Sequence, residues 1–418
     1  MKRPPDNSEH RAPPDSRRSM GLRCRVRGRA ALGVPIQVPT PSVVVRFSSR
    51  GSVTLIKMPG RAHDGEDGWL VAGTGERVVV VGAGITGSSI AYHLAERGAD
   101  VVVLDQGLPA SGATGSSFGW VGRPVSSRLP SAPLRYLAID DWHRIAQALP
   151  DFPISWQGSL VWGHEDPDEM GLVNTVDDTS ELEPSLRVAA RDVQYREQDG
   201  SIEPVAATEL LLEEAAKLGA DVRLGQVVVG LIEDEGVVRG VKTASEVISA
   251  SVVVLACGLG SVALCRGVGF DLPVDASPTV LVRLDAPAGL VQHVLMSPDV
   301  EVRQLPNGQL LAPVEYSGER SRGDLTETAT EAERRINTML DSNDEVRARS
   351  AEIGWRPMPA DGEPIIGPVP GTPGLYVAVM HSAITLAASV GRLVTAELLD
   401  GLMARELEHS RPARFRTR

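Results

Sequence analysis

From residue 76 onward, short continuous apolar runs alternate with stretches of helical spacing. Residues 77–81 read as a buried strand, and residues 90–97 carry helical spacing. Residues 99–105, built around Val101-Val102-Val103-Leu104, read as a second buried strand. Strand, tight turn, helix and strand make a βαβ unit. A loop rich in Gly, Ser and Thr follows over 107–122. Residues 130–149 place Leu134, Leu137, Ile139, Trp142, Ile145 and Leu149 on one helical face. Alternation predicts a strand over 156–162 and another over 222–229, with a helix over 209–218 ended by Gly219. Residues 236–238 and 240–242 read as a hairpin-like pair, and 248–256 as one nearly continuous strand closed by Gly258.

The pattern then changes. Residues 280–284, 300–304 and 309–314 alternate and read as antiparallel strands, with Pro306-Asn307-Gly308 as a turn. A polar helix is expected over 325–349, a last buried strand over 375–379, and a helix over 385–399 with Gly391 inside it. Parallel signals flanking antiparallel ones predict an α/β nucleotide-binding domain, Rossmann-like and discontinuous in sequence, interrupted by an antiparallel-sheet α+β domain.

Charge sets the first 75 residues apart. Residues 1–60 hold 12 Lys/Arg against 3 Asp/Glu, whereas the other 358 residues hold 30 against 51. The stretch 1–29 is rich in Arg, Pro and Ser and lacks any period, so residues 1–75 read as a disordered basic tail. An organellar leader or an upstream start, with Met58 as the alternative, are other readings of the same composition. The acidic body does not resemble a nucleic-acid surface. With 418 residues there is room for two or three cores. Three cysteines without a paired spacing favour a reducing, cytoplasmic compartment, and no apolar run is long enough for a transmembrane segment. No metal-ligand spacing is present.

The sharpest motif is Gly82-Ala83-Gly84-Ile85-Thr86-Gly87, a GxGxxG that follows a strand and opens a helix. Gly82 makes the tight turn, Gly84 lets backbone approach a pyrophosphate, and Gly87 lets helix pack on strand. Asp105, at the end of the second strand, stands where a carboxylate accepts from a ribose hydroxyl, and an acid there disfavours a 2′-phosphate. The fingerprint alone leaves NAD and FAD open. The strand end Ala256-Cys257-Gly258 would bring further backbone to the same dinucleotide.

Together with Gly112-Ala113-Thr114, Asp199-Gly200-Ser201-Ile202-Glu203-Pro204, Ala256-Cys257-Gly258 and the block Gly354-Trp355-Arg356-Pro357-Met358-Pro359-Ala360-Asp361-Gly362, the fingerprint resembles the FAD-dependent oxidoreductases of the D-amino-acid oxidase superfamily. Glycine oxidase and sarcosine oxidase belong to that group, and the resemblance covers about 77–402. It implies FAD, held non-covalently, because Trp355 falls where sarcosine oxidases carry their flavin-linking cysteine. It implies an FAD-binding domain over 76–155, 196–265 and 351–405, a substrate domain over 156–195 and 266–350, and a C-terminal tail over 406–418. The implied FAD contacts are the fingerprint, Asp105 and Gln106, the loop residues Ser111, Ala113, Thr114, Ser116 and Ser117, the backbone at Val227 or Val228, and Ala256 and Gly258. The turn His381-Ser382-Ala383-Ile384-Thr385 would face the flavin pyrimidine edge. Arg356 would pair with a substrate carboxylate and touch the cofactor, with Arg303 and Trp355 as further substrate contacts and His381 as a candidate acid–base group.

The implied reaction is oxidation of the C–N bond of an amino acid or N-alkyl amino acid, by hydride transfer to flavin N5, giving an imine. Reduced flavin would pass electrons to oxygen or to an acceptor protein. Among four lysines, Lys2, Lys57, Lys217 and Lys242, none is expected at the flavin, which favours a dehydrogenase. Two other readings stay open: a hydroxy-acid or alcohol dehydrogenase, and a flavin-binding subunit of a hetero-oligomer. The second is motivated by Met380 and Ala383 where relatives carry glycine, and by the unusual strand Asp299-Val300-Glu301-Val302-Arg303-Gln304.

Overall fold

Five parallel strands and one antiparallel strand form the central sheet of this computed structural model, which describes residues 43–47, 53–57, 75–123, 129–163, 174–176, 178–187 and 192–415. The chain divides into two units, residues 1–58 and 59–418. In the first, Val43–Phe47 pairs antiparallel with Val53–Lys57. This hairpin falls inside the stretch expected to be a disordered tail; Val43-Val44-Val45 and Val53-Thr54-Leu55-Ile56 have the β-branched content that strands favour. The basic stretch 1–29, Cys24 and Met58 lie outside the described residues.

In the second unit the central sheet runs Asp221–Leu224, Asp100–Asp105, Arg77–Val81, Val252–Leu255, Leu375–Val379, Ile365–Pro368. Register sets Val79 beside Val102 on one side and Val253 on the other. The four inner strands are largely apolar because both faces are covered, whereas the edge strand Asp221–Leu224 is not. Val78 and Val80 point to the helices Ile85–Glu96, Ala132–Ala148, Pro204–Lys217 and Ala383–Asp400. Val79 and Val81 point to the opposite face, covered by a three-stranded sheet (Val228–Asp234, Val237–Thr243, Val247–Ser249) and the helix Gly260–Gly267. Each fully buried valine contributes about 1.5–3 kcal/mol.

The second large sheet has eight strands: Arg347–Pro359, Val274–Asp285, Leu310–Glu315, Glu301–Gln304, Val294–Met296, Ser159–Val161, Val193–Arg196, Asn174–Val176. One face packs on the helix Arg322–Met339, which opens with a capping box in which Ser321 and Asp324 satisfy each other's backbone amides.

Several expected elements are divided or moved. The run 222–229 is two strands in two sheets, broken at Gly225 with φ +71°. The hairpin lies between 228–234 and 237–243, turning at Glu235 and Gly236, both at positive φ; residues 236–242 are not two strands. The run 248–256 is likewise split between two sheets. The strand over 156–162 shrinks to Ser159–Val161. The helix expected to 349 stops at Met339; Asn343 and Asp344 turn the chain at positive φ into the strand Arg347–Pro359. That strand belongs to the antiparallel sheet, so the boundary drawn at 351 falls inside one element. In the stretch read as a C-terminal tail, two 3-10 turns, Arg405–Ser410 and Pro412–Phe415, are anchored where Arg411 donates to the buried Glu397 carboxylate at 2.9 Å. No described helix is long and apolar enough to cross a membrane, and no described group of His, Cys, Asp and Glu could hold a metal ion.

Candidate active site

At the carboxyl edge of the parallel sheet the chain makes a glycine-lined crevice. Gly82 turns at φ +113°, and a Cβ there would stand 2.6 Å from the Ala256 carbonyl oxygen. A Cβ on Gly87 would overlap the Gly82 carbonyl oxygen, so helix and strand meet only through glycine. Beside Gly84 a Cβ would find only Thr114 Oγ1, at 3.1 Å. The helix Ile85–Glu96 has no side-chain cap of its own at Gly84; the Ile85 amide donates to Thr114 Oγ1 at 3.2 Å. An uncapped helix start lined by glycine is a cradle for phosphate.

Asp105 closes one end of this crevice. One carboxylate oxygen accepts from the Ala83 amide and the other from the Gly107 amide, each at 2.7 Å. The Gln226 amide donates to the Asp105 carbonyl at 2.7 Å, which brings the backbone of Val227 and Val228 alongside. Gln106 and Val227 are exposed, and Ala256 is buried against Val81. Ser111 is exposed, while Ala113, Thr114, Ser116 and Ser117 are part-buried in the loop that leaves Asp105.

The same loop meets the antiparallel sheet. A Cβ on Gly354 would lie 2.9 Å from Ser116 Cβ. Strand residues alternate faces, so Arg356 shares the Gly354 face and Trp355 takes the other. Arg356 pairs in register with Ser277, donating to its hydroxyl at 2.9 Å and to its carbonyl at 3.3 Å, and to the Pro278 carbonyl at 3.4 Å. Its Nη1 donors have no protein partner among the described residues. Trp355 is 49% exposed and stands against Tyr316 rather than beside Arg356, which moves it away from the expected substrate contact.

Arg303 also departs from expectation. It is 1% exposed and donates to the Phe118 carbonyl, to the Ile202 carbonyl and Glu203 carboxylate at 3.0 Å, and to Ser201 Oγ at 3.3 Å. Its guanidinium ties the end of the loop to the segment 199–204 and is not free to bind substrate. That explains the Asp199-Gly200-Ser201 motif structurally. Asp199 is buried and accepts from Ser159 Oγ at 2.6 Å and the Arg123 amide at 3.0 Å, while burial pushes its carboxyl upward.

Two site residues escaped the sequence reading. Glu301 lies two positions from Arg303 on the strand, hence on the same face, part-buried and within the field of Arg356. Burial raises its carboxyl against the opposing pull of that guanidinium. Alternation along 301–303 was the available signal. Arg135, on the helix Ala132–Ala148, donates to Ser382 Oγ. That helix is clamped to Ala383–Asp400 by Asp141, 2% exposed, which receives Arg392 Nε and Nη2 at 2.8 and 2.9 Å and Ser389 Oγ at 2.5 Å.

Ser382 precedes the helix Ala383–Asp400 and gives it no side-chain cap. Ile384 and Thr385 are buried; their carbonyls accept from Trp142 Nε1 at 3.1 and 2.9 Å, and Thr385 Oγ1 donates to the Trp120 carbonyl at 3.2 Å. His381 is part-buried, with Nδ1 3.3 Å from Ser382 Oγ. Burial first, then the Arg356 and Arg135 charges, pull its pKa down to about 4. The imidazole is therefore neutral at neutral pH and a poor acceptor of protons from an ammonium. Burial pushes the Cys257 thiol up to about 11, so it is no nucleophile.

Comparison with known proteins agrees with this geometry. Residues 77–397 match the family described as FAD dependent oxidoreductase. The chain is 26% identical over 348 residues to glycine oxidase of Bacillus licheniformis, covering 77% of this chain and 92% of that enzyme. The crystal structure of glycine oxidase from Geobacillus kaustophilus superposes with a TM-score of 0.73 at 23% identity, over 82% of this chain and 100% of that one. L-proline dehydrogenase from P.horikoshii also gives 0.73, at 20% identity, over 82% and 98%.

Proposed function

Since this chain belongs to the FAD dependent oxidoreductase family, we propose that it oxidises the C–N bond of an amino acid or N-alkyl amino acid, with Arg356 holding the substrate carboxylate. Similarity to the glycine oxidase of Bacillus licheniformis supports the substrate class. The observation that carries the reading is the approach of Gly354 to Ser116, which sets the Arg356 face of the sheet against the loop that follows the fingerprint.

Gly82, Gly84 and Gly87 with the Ile85 helix start would hold the FAD pyrophosphate, Asp105 its ribose, and the backbone at 227–228 its adenine. FAD, when bound, supplies the two-electron acceptor. Everything else falls to the protein. The Ser277 and Pro278 contacts pin the guanidinium plane of Arg356, leaving its outer donors for a carboxylate. Glu301 faces the amine end of the bound zwitterion. The ammonium first gives a proton to water; the Cα hydrogen would then leave with its electron pair to the bound two-electron acceptor, and the resulting iminium is hydrolysed by water. His381 stays uncharged and adds no competing anion site.

The test is an anaerobic visible-absorption titration of the purified holoenzyme with glycine, sarcosine, proline and other amino acids. Bleaching by at least one member is expected, and Arg356→Met should cost about 100-fold in kcat/KM, corresponding to two charge-assisted hydrogen bonds of about 1.5 kcal/mol each. Bound flavin that hydroxy acids bleach and amino acids do not would overturn the reading.

A further inference from the structure

Resting on the reading above, we infer that Arg135 is a second carboxylate-binding residue, so that the preferred substrate is a dicarboxylic amine with one carboxylate on Arg356 and the other on Arg135. Three guanidinium groups packed against the core sit in ion pairs. Arg303 has Glu203, Arg392 has Asp141, and Arg411 has Glu397. Arg135 has no ion-pair partner within bonding distance among the described residues, and Glu363 opposes it only at longer range. Among the described residues its side chain hydrogen-bonds to the neutral hydroxyl of Ser382, and its Nε is buried without a hydrogen-bond partner. An inward guanidinium left without an anion is costly, and a ligand carboxylate offsets that cost.

Its position makes it part of the site. The bond to Ser382 puts the guanidinium at the turn that carries His381, and the Asp141–Arg392 clamp fixes the supporting helix there. From the antiparallel sheet the charge of Arg356 acts on the same imidazole as the charge of Arg135 does. Arg356 likewise has no ion-pair partner within bonding distance among the described residues, and Glu301 opposes it only at longer range. A zwitterion with a single carboxylate neutralises Arg356 and engages Glu301, and leaves Arg135 over. An amino dicarboxylic acid, or an amine bearing two carboxymethyl arms, neutralises both.

The test uses the purified holoenzyme and the flavin absorption band as reporter, with acetate, malonate, succinate and glutarate as non-reacting probes. At least one dicarboxylate should bind about 10-fold tighter than acetate, the worth of one added charge-assisted pair. Arg135→Met should bring that dicarboxylate to within about twofold of acetate without weakening acetate, and Arg135→Lys should retain part of the preference. Three results would overturn the inference: no preference in the native enzyme, equal weakening of acetate and dicarboxylates by Arg135→Met, or a change in the sulfite affinity of the flavin with the preference intact. If Arg135→Met fails to retain FAD, Arg135→Lys and Arg135→Gln are read in its place. Absence of any carboxylate effect, or acetate binding untouched by Arg356→Met, sinks the C–N reading as well. Acetate binding through Arg356 with no dicarboxylate preference sinks only the role of Arg135.

Discussion

Arginine at position 303 and arginine at position 356 carry the same side chain on the same sheet face, yet only one keeps free donors. Arg303 spends its guanidinium on three residues of the 201–203 segment and on Phe118. Arg303→Met leaves two buried carbonyls and the Glu203 carboxylate short of donors, and should cost about 3 kcal/mol of stability in a denaturant titration. The KM for a substrate that saturates both enzymes should change far less than with Arg356→Met. His381 makes a prediction in pH. Its pKa near 4 lies below the ordinary 6.5, so between those values the unfolded chain binds a proton that the folded chain refuses. The contribution is complete above pH 6.5 and is lost as pH falls toward 4. The stability of His381→Gln should therefore decline less than that of the native chain over that window; parallel curves would mean that the imidazole titrates normally. At this scale the fingerprint glycines and Asp105 were legible, because a tight turn and a strand-end acid are local features. The fates of Trp355 and Arg303 were not. Alternation says that two residues oppose or share faces, but not which face meets the nucleotide-binding layer.

Helix contacts set the next scale. Gly391 sits where Ala383–Asp400 crosses Ile85–Glu96, and a Cβ there would collide with Ser89 and His93. The gap lets Ser89 Oγ donate to the Ala387 carbonyl at 2.8 Å, drawing together the two helices whose N-termini border the site. Gly391→Ala should overpack this crossing, cost about 1–3 kcal/mol and weaken FAD retention during gel filtration. Retention and melting temperature equal to those of the native protein would show that the helices have slack. A glycine inside a helical pattern is visible in sequence, but its neighbour across 300 residues is not. The same limit explains the divided strands. The run 248–256 reads as nearly one strand because Ile248 and Val252–Leu255 are buried, in different sheets, and hydrophobicity does not record the change of sheet.

Across the whole molecule, cofactor and fold are thermodynamically linked. The groups proposed to hold FAD come from chain segments near 82–87, 105–117, 226–228, 256–258 and 381–385, which the folded state alone gathers. Adding FAD to stripped protein at 100 times its dissociation constant should stabilise the chain by about 2.7 kcal/mol, read as a rise in melting temperature that depends on FAD concentration. No rise would mean that the gathered segments do not hold the dinucleotide. The alternation of parallel and antiparallel signals was readable along the chain. The point where one sheet yields to the other was not, because Arg347–Pro359 carries arginines and prolines that mask its period.

The strand order of the central sheet has a further consequence, for synthesis in the cell. Val252–Leu255 lies between Arg77–Val81 and Leu375–Val379, so one flank of an interior strand stays bare while more than a hundred residues are still being translated. A ribosome-bound nascent chain therefore exposes an unpaired, wholly apolar strand edge for more than a quarter of its elongation time. That edge, open to wrong pairing until then, closes only when residues 375–379 leave the exit tunnel.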